Sequence, residues 1–324
     1  MAKQPMNYSI LLGGVAAGLL TLGAATLTPA AAAERNGINL GTTSFFDGFG
    51  GDRPGCTYIQ YAGHDRFNSL TGSSGDKVPV SAQLDVNYIV PQLACTSDLK
   101  LFGGALGWNT IVPFAEQNTG SGIVPGPNNG GGLGDILVGP YISWSPVIKD
   151  GHPVFANAVE LDFITPTGKY NPNLPVNPGN DYLSINPFWR ATYLPGPGWE
   201  ISWRLNYIHN FDHNSAINAA SPVPGTSMQH NGDGVWANFT VSKEIFKNFS
   251  FGLNGYWLKQ LTGDKLTNGT TLDNAQESFY AGPGIHYDFG GHRQINVNLY
   301  LPVYDVNALS GGYQLNLQYI HPLN

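Results

Sequence analysis

The chain has 324 residues, and only 11% of them are charged, against roughly 25% in ordinary soluble domains. Aromatic residues make up 12%, and Gly (42) and Pro (23) are abundant. The formal net charge is −7 and no basic tract occurs, which argues against nucleic acid as a partner. Few charges combined with many aromatics favour a chain that alternates apolar and polar residues.

Residues 1–33 differ from the rest of the chain. Lys3 supplies a positive start, residues 10–27 are apolar, and small residues ending at Ala33 offer a cleavage site. We therefore predict a secretory signal peptide over 1–33, with a membrane-anchoring helix as the alternative. The predicted division is a signal peptide (1–33), an N-terminal segment (34–54) and a β-domain (55–324).

The remainder of the chain shows a repeated two-residue alternation. In "QINVNLYLPV" (294–303), aliphatic residues occupy every second position, and Asn and Gln occupy most of the positions between them. The two sets of alternating positions are called the two parities of a strand. Because successive strand side chains point to opposite faces, this pattern predicts a strand with one apolar and one amide face. Twelve such strands are predicted between residues 56 and 319, and no helical periodicity follows residue 33.

The predicted connections alternate in length. Long stretches such as 115–133 and 212–233 alternate with short ones such as 194–198 and 290–293. Long extracellular loops against short periplasmic turns are typical of outer-membrane barrels. In lipid, unpaired backbone groups cost several kcal/mol each, so the sheet must close. We predict an all-β, transmembrane, antiparallel up-and-down barrel of about twelve strands in the bacterial outer membrane.

This fold assigns a side to each parity. The apolar residues should contact lipid, and the polar residues should line a wet lumen. In "SAQLDVNYIV" (81–90), this rule sends Leu84 and Val86 to the lipid and Asp85 to the lumen. The first periplasmic turn is predicted at 91–98.

Four stretches together resemble a known family. They are "NLGTTSFFDGFGGDRPG", "GLGDILVGPYISW", "ANAVELDFITPTGKYNP" and "INPFWRATYLPGPGWEISWRLNYIHNF". The chain resembles the outer-membrane transporters of the meta-pathway of phenol degradation, the SphA-like group, over residues 39 to 321. The resemblance implies a porin-like barrel for passive uptake of small hydrophobic or aromatic compounds. The final "IHPLN" departs from the aromatic ending that barrel-assembly machinery usually recognises.

Several charged and amide side chains fall on the predicted inward parity. We interpret them either as a selectivity constriction with opposed charges or as an ion-pair network that fills a narrow lumen. The predicted lumen residues are Glu160, Asp162, Arg190, Glu200, Arg204, His286, Asp288, Asn296 and Asn298.

The N-terminal segment 34–54 has aromatic residues among glycines: Phe45, Phe46 and Phe49. We predict that it either plugs the lumen and contributes to a site for an apolar ligand, or remains a mobile periplasmic leader.

Cys56 and Cys95, the only cysteines, are disulfide candidates in an exported protein, with two free thiols as the alternative.

Catalytic and metal signals are weak. "HNFDHNS" (209–215) brings His, Asp and Ser together, so an outer-membrane hydrolase of the phospholipase type, using Ser215, is an alternative function. A structural or adhesive barrel is another. The eight His show no metal-ligand spacing, and the Gly-rich "NNGGGLGD" lacks a phosphate-loop lysine. We predict no enzymatic activity, no metal and no cofactor, with lipid, the assembly machinery and small solutes as partners.

Overall fold

The computed structural model describes residues 38–122, 126–213, 223 and 225–323. The predicted signal peptide lies outside the described residues. Twelve strands, two per hairpin, run in chain order around one sheet. They are β1 (Gly55–Phe67), β2 (Leu84–Leu101), β3 (Gly104–Ile111, continued by Phe114–Asn118), β4 (Leu137–Lys149), β5 (His152–Ile164), β6 (Ser184–Tyr193), β7 (Trp199–Asn210), β8 (Gly234–Phe246), β9 (Phe249–Gln260), β10 (Glu277–Gly290), β11 (Arg293–Val306) and β12 (Tyr313–Pro322).

The sheet closes on itself. Each strand pairs antiparallel with the next, and β1 pairs with both β2 and β12. Closure leaves no sheet edge with unpaired backbone groups, as a membrane-spanning sheet requires. The predicted twelve-stranded up-and-down barrel is confirmed. Within the described residues, no helix has the length and apolar character needed to span a membrane.

Connections at the two ends of the barrel differ as predicted. At the short-turn end, Phe102–Gly103 and Asp150–Gly151 have positive φ at both positions, which suits tight two-residue hairpins. We take this end as periplasmic. The long connections at the extracellular end carry short ladders of their own: Ser69–Leu70 with Leu309–Ser310, Met228–His230 with Lys265–Leu266, and Gly132–Leu133 against β3.

Strand β11 shows how the alternation of residues determines which side chains face the lumen and which face outward. Asn296 and Asn298 are fully buried inside the barrel, whereas Leu301 is 47% exposed on the outer surface. Asn296 donates to Gln318 Oε1 at 2.7 Å, so the inward amides bond to one another across strands. The outward aliphatic residues of this strand form part of the apolar outer band.

The predicted first turn at 91–98 is wrong. Strand β2 continues through those residues to Leu101, and the turn is Phe102–Gly103. Cys95 therefore lies within β2 rather than in a turn. It is directly opposite Cys56 in β1, and the structure joins the two in a disulfide. Pro91 lies inside this strand, opposite Gln60 of β1.

The predicted orientation of the upper part of β2 is also wrong. Leu84 is 5% exposed and packs inside the barrel with Phe67, while Asp85 lies on the outer face beside Arg66. On the same outer face, His64 Nδ1 and Asn87 Oδ1 are 2.8 Å apart. The extracellular half of the lumen is apolar next to β2, so the apolar side chains of this part of the strand face inward.

Candidate transport lumen

The N-terminal segment, residues 38–54, runs inside the barrel. Near the middle of the lumen, Gly41 N donates to Asn238 Oδ1 of β8 at 3.1 Å. Its carbonyl oxygen accepts hydrogen bonds from Tyr300 of β11 at 2.8 Å and Asn316 of β12 at 3.1 Å. Three strands of the wall thus bond to one residue of the segment.

The segment crosses the lumen from the extracellular half toward the periplasmic end. Ile38 lines a small cavity of about 30 Å³ together with Ile208 and Leu258, near the extracellular ends of β7 and β9. Further along, Gly50 O accepts a hydrogen bond from Ser143 and Gly51 O accepts one from Thr96. The chain then enters β1 at the periplasmic end.

Gly48 brings the segment into direct contact with the wall. Its backbone N donates to Thr192 Oγ1 at 2.9 Å. A Cβ at this position would lie 2.3 Å from Thr192 N and 2.5 Å from Ala156 O. Any side chain at Gly48 would therefore force the segment away from β5 and β6.

Two arginines of the wall hold the segment at Asp47. Arg204 Nε is 2.9 Å from Asp47 Oδ2, and Nη2 is 2.7 Å from Oδ1, a two-pronged charge-assisted contact. Arg190 Nη1 donates to the backbone carbonyls of Asp47 and Phe49. The Arg204 and Asp47 side chains are only 11% and 9% exposed, so the pair is shielded from water.

The predicted plug aromatics lie in the periplasmic half of the lumen. Phe45 is 2% exposed, with its ring centroid 5.6 Å from that of His286. Phe46 lies 5.0 Å from His286 and 6.2 Å from Phe49. Phe46 N donates to Glu200 Oε1, which fixes the segment to β7.

The other predicted lumen residues have partners of several kinds. Glu160 accepts a hydrogen bond from Asn109 at 2.6 Å, with the buried Asp162 next to it on β5. Asn298 donates to Ser44 of the segment. Asp288 accepts from Gly290 N at the periplasmic turn and lies apart from this group. Both arginines bind the segment, and the selectivity constriction and the ion-pair network both stay predictions.

The extracellular half of the lumen carries an aromatic cluster that the sequence analysis did not single out. Tyr256 and Tyr280 stack with centroids 5.1 Å apart, and Tyr300 meets Tyr256 edge-on at 5.7 Å. Trp236 and Leu40 of the segment belong to the same buried cluster. These wall residues fall on the inward parity of their strands, so the alternation itself contained the signal.

Two extracellular connections are joined through Asp135. Its Oδ1 accepts from Gly168 N at 2.9 Å, and Oδ2 accepts from Asn180 N at 2.7 Å. Burial raises the pKa of Asp135 to about 6, although these hydrogen bonds act in the opposite direction. The motifs "GLGD" and "PTGKY" are therefore one structural unit.

The histidines of the hydrolase hypothesis have other partners. His209 Nδ1 lies 3.0 Å from Asp233, and His213 stacks on Tyr182 at 4.7 Å. Burial would raise the pKa of Asp233, but hydrogen bonds from His209 and Tyr207 lower it overall. Ser215 lies outside the described residues. Within the described ranges, no group of three or more His, Cys, Asp or Glu residues could hold a metal ion.

A closed barrel with an apolar outer band and a filled lumen defines the class of outer-membrane β-barrels. The chain belongs to the family described as "Putative MetA-pathway of phenol degradation", whose model matches residues 67–318. The family resemblance predicted from the sequence motifs is thereby confirmed. A comparison with curated protein sequences finds no match.

The fold is similar to that of a solved outer-membrane channel. The COG4313 outer membrane channel from Pseudomonas putida F1 matches 88% of this chain and 100% of its own, with a TM-score of 0.70 and 15% identity. The transport unit of the Escherichia coli autotransporter AIDA-I matches 84% and 91%, with a TM-score of 0.46 and 12% identity. A Pseudomonas aeruginosa FadL homologue matches 92% and 98%, with a TM-score of 0.40 and 8% identity.

Proposed function

We propose that the protein is an outer-membrane channel for passive uptake of small hydrophobic or aromatic compounds. The observation that carries this proposal is the lumen itself. Its extracellular half is lined by Trp236, Tyr256, Tyr280 and Tyr300, a surface suited to apolar rings rather than to hydrated sugars or ions. The family description, which refers to phenol degradation, supports the same class of solute.

The N-terminal segment is the plug in this proposal. It bonds to strands on several sides of the lumen, at Asn238, Tyr300 and Arg204 among others. A solute larger than water therefore passes only when the segment moves, because protein interiors packed in this way leave no room beside it. The apolar outer band contacts lipid, and the barrel-assembly machinery inserts the chain.

Liposome swelling tests the solute class. Proteoliposomes and protein-free liposomes are compared with phenolic solutes and with sugars of similar size. We expect protein-dependent swelling with the phenolic solutes and little with the sugars, because the aromatic lining stabilises rings in transit. Equal rates for sugars and phenols would contradict the proposal in favour of a general porin, and no protein-dependent rate for any solute would contradict a channel.

Deleting residues 38–51 tests the plug. This deletion keeps the predicted signal peptide and the start of β1. We expect a larger single-channel conductance in planar bilayers, with a folded barrel verified by its heat-modifiable electrophoretic mobility. An unchanged conductance would show that the segment does not obstruct the lumen.

The hydrolase and adhesive alternatives gain no support from any contact in the described part of the chain.

A further inference from the structure

The lumen contains a carboxylate-binding site that the chain occupies with its own Asp47. Arg204 offers two parallel N–H donors to both carboxylate oxygens, at 2.9 and 2.7 Å. This fork geometry matches carboxylates better than any neutral group. Arg190 lies beside it and donates to the backbone carbonyls around Asp47, so its donors are also directed at the same position.

The surroundings of this site are aromatic. The Arg204 guanidinium lies over the Phe188 ring, 4.5 Å from its centroid, which favours a stacked cation. On the segment, Phe46 precedes the carboxylate and Phe49 follows it, with their rings 6.2 Å apart. The segment's sequence thus places Asp47 between two phenylalanines, one residue after Phe46 and two residues before Phe49.

We propose that this site is the recognition site for aromatic carboxylates, which take the place of Asp47 and release the N-terminal segment from the wall. The inference rests on the proposed uptake function and names its preferred substrate class. An incoming carboxylate pairs with Arg204 while its ring occupies the space left by the segment's phenyl groups. The exchange replaces one carboxylate by another, so the charge around the arginines is unchanged.

A neutral aromatic solute lacks this advantage. If it displaced the segment, Arg204 would lose its two-pronged charge-assisted contact with a carboxylate and gain no contact of equal strength in return. Glu200 does not substitute easily, because its two carboxylate oxygens still accept hydrogen bonds from Ser202 and Ser242 of the wall after the segment has left. The site therefore discriminates between a carboxylate and its uncharged analogue of the same shape.

Hydrogen–deuterium exchange of the full-length mature protein in detergent tests this inference directly. Benzoate and benzamide, which share shape but not charge, are titrated at pH 7.5, and exchange is followed in peptides covering residues 41–51. We expect benzoate to increase exchange in these peptides and benzamide to have little effect. In Arg204→Gln, which also loses the contact with Asp47, exchange in these peptides should already be fast without ligand, and benzoate should add no further increase.

Lys259→Gln is the matched control, since this cation pairs with Glu277 on the outer surface at 3.1 Å and does not face the lumen. It should respond to benzoate as the wild type does. Equal responses of the wild type to benzoate and benzamide, or no response to either, would overturn the inference. Proteoliposomes would still swell with neutral phenolic solutes in that case. Failure of this inference is therefore distinguishable from failure of the uptake function.

Discussion

Replacing Asp47 by Asn should release the N-terminal segment without unfolding the barrel. The substitution keeps the size of the side chain but removes the charge that Arg204 binds. Both side chains of the pair are shielded, at 11% and 9% exposed. Removing one partner of such a pair costs about 3–5 kcal/mol, because it leaves a buried charge uncompensated.

The barrel can avoid most of this cost by letting water reach Arg204 as the segment leaves. A difference of about 3 kcal/mol changes the ratio of docked to released segment by roughly a hundredfold. We expect a larger and more variable single-channel conductance and faster amide exchange over residues 41–51. The temperature of barrel unfolding, measured by electrophoretic mobility after heating, should change little.

Asp52→Asn is the matched control for this experiment. It makes the same chemical change in the same segment, but the ion pair of Asp52, at 3.9 Å, is with the exposed Arg53. An exposed pair of this kind contributes about 0–1 kcal/mol. If Asp47→Asn gave the conductance and exchange of the wild type, the contact with Arg204 would not be what holds the segment, and the reasoning would be refuted.

Three further predictions concern other parts of the molecule. Gly48→Ala should also displace the segment from the wall, because the added Cβ would collide with β5 and β6. Limited proteolysis should then cleave the displaced segment. In the control Gly196→Ala, where the added Cβ meets open space, the segment should stay protected from cleavage. Since burial raises the folded-state pKa of Asp135 to about 6, above its unfolded value near 4, the folded protein binds the extra proton between these values. Stability should therefore fall as pH rises from about 4 to 6, and amide exchange in the loop after β5 should show this dependence in the wild type but not in Asp135→Asn. Replacing Cys56 and Cys95 by Ser removes a cross-link over 39 residues and should lower the urea midpoint, by an amount corresponding to about 4 kcal/mol in the chain-entropy model. An unchanged midpoint would contradict this.

The barrel was predictable from the sequence because membrane closure leaves few alternatives. Strands such as β11 place every second residue against lipid, and lipid tolerates almost no polar group there. The alternation of Ile295, Val297 and Leu299 with amides is therefore unambiguous. The number of alternating stretches specified the strand count, and the lengths of the connections then specified the orientation of the hairpins.

The interior was harder to predict because alternation does not state which face is inside. Around Leu84 and Val86 the lumen is apolar and the outer face carries Asp85, so the rule that polar means inward failed. Asp47 was overlooked for a different reason. Its partner Arg204 is 157 positions away, and no local pattern reports a contact of that range.

The position of the disulfide has a consequence for how the segment behaves once released. Cys56 is bonded to Cys95 in the neighbouring strand, so the base of the segment is anchored at the periplasmic end of the wall. Residues 38–54 could extend roughly 55–60 Å from that anchor, enough to leave the barrel completely. A tethered chain of this length returns at an effective concentration in the millimolar range, whatever the abundance of the protein. In the proposed mechanism, each pore therefore resets by itself after a solute has passed, with no second molecule and no energy source.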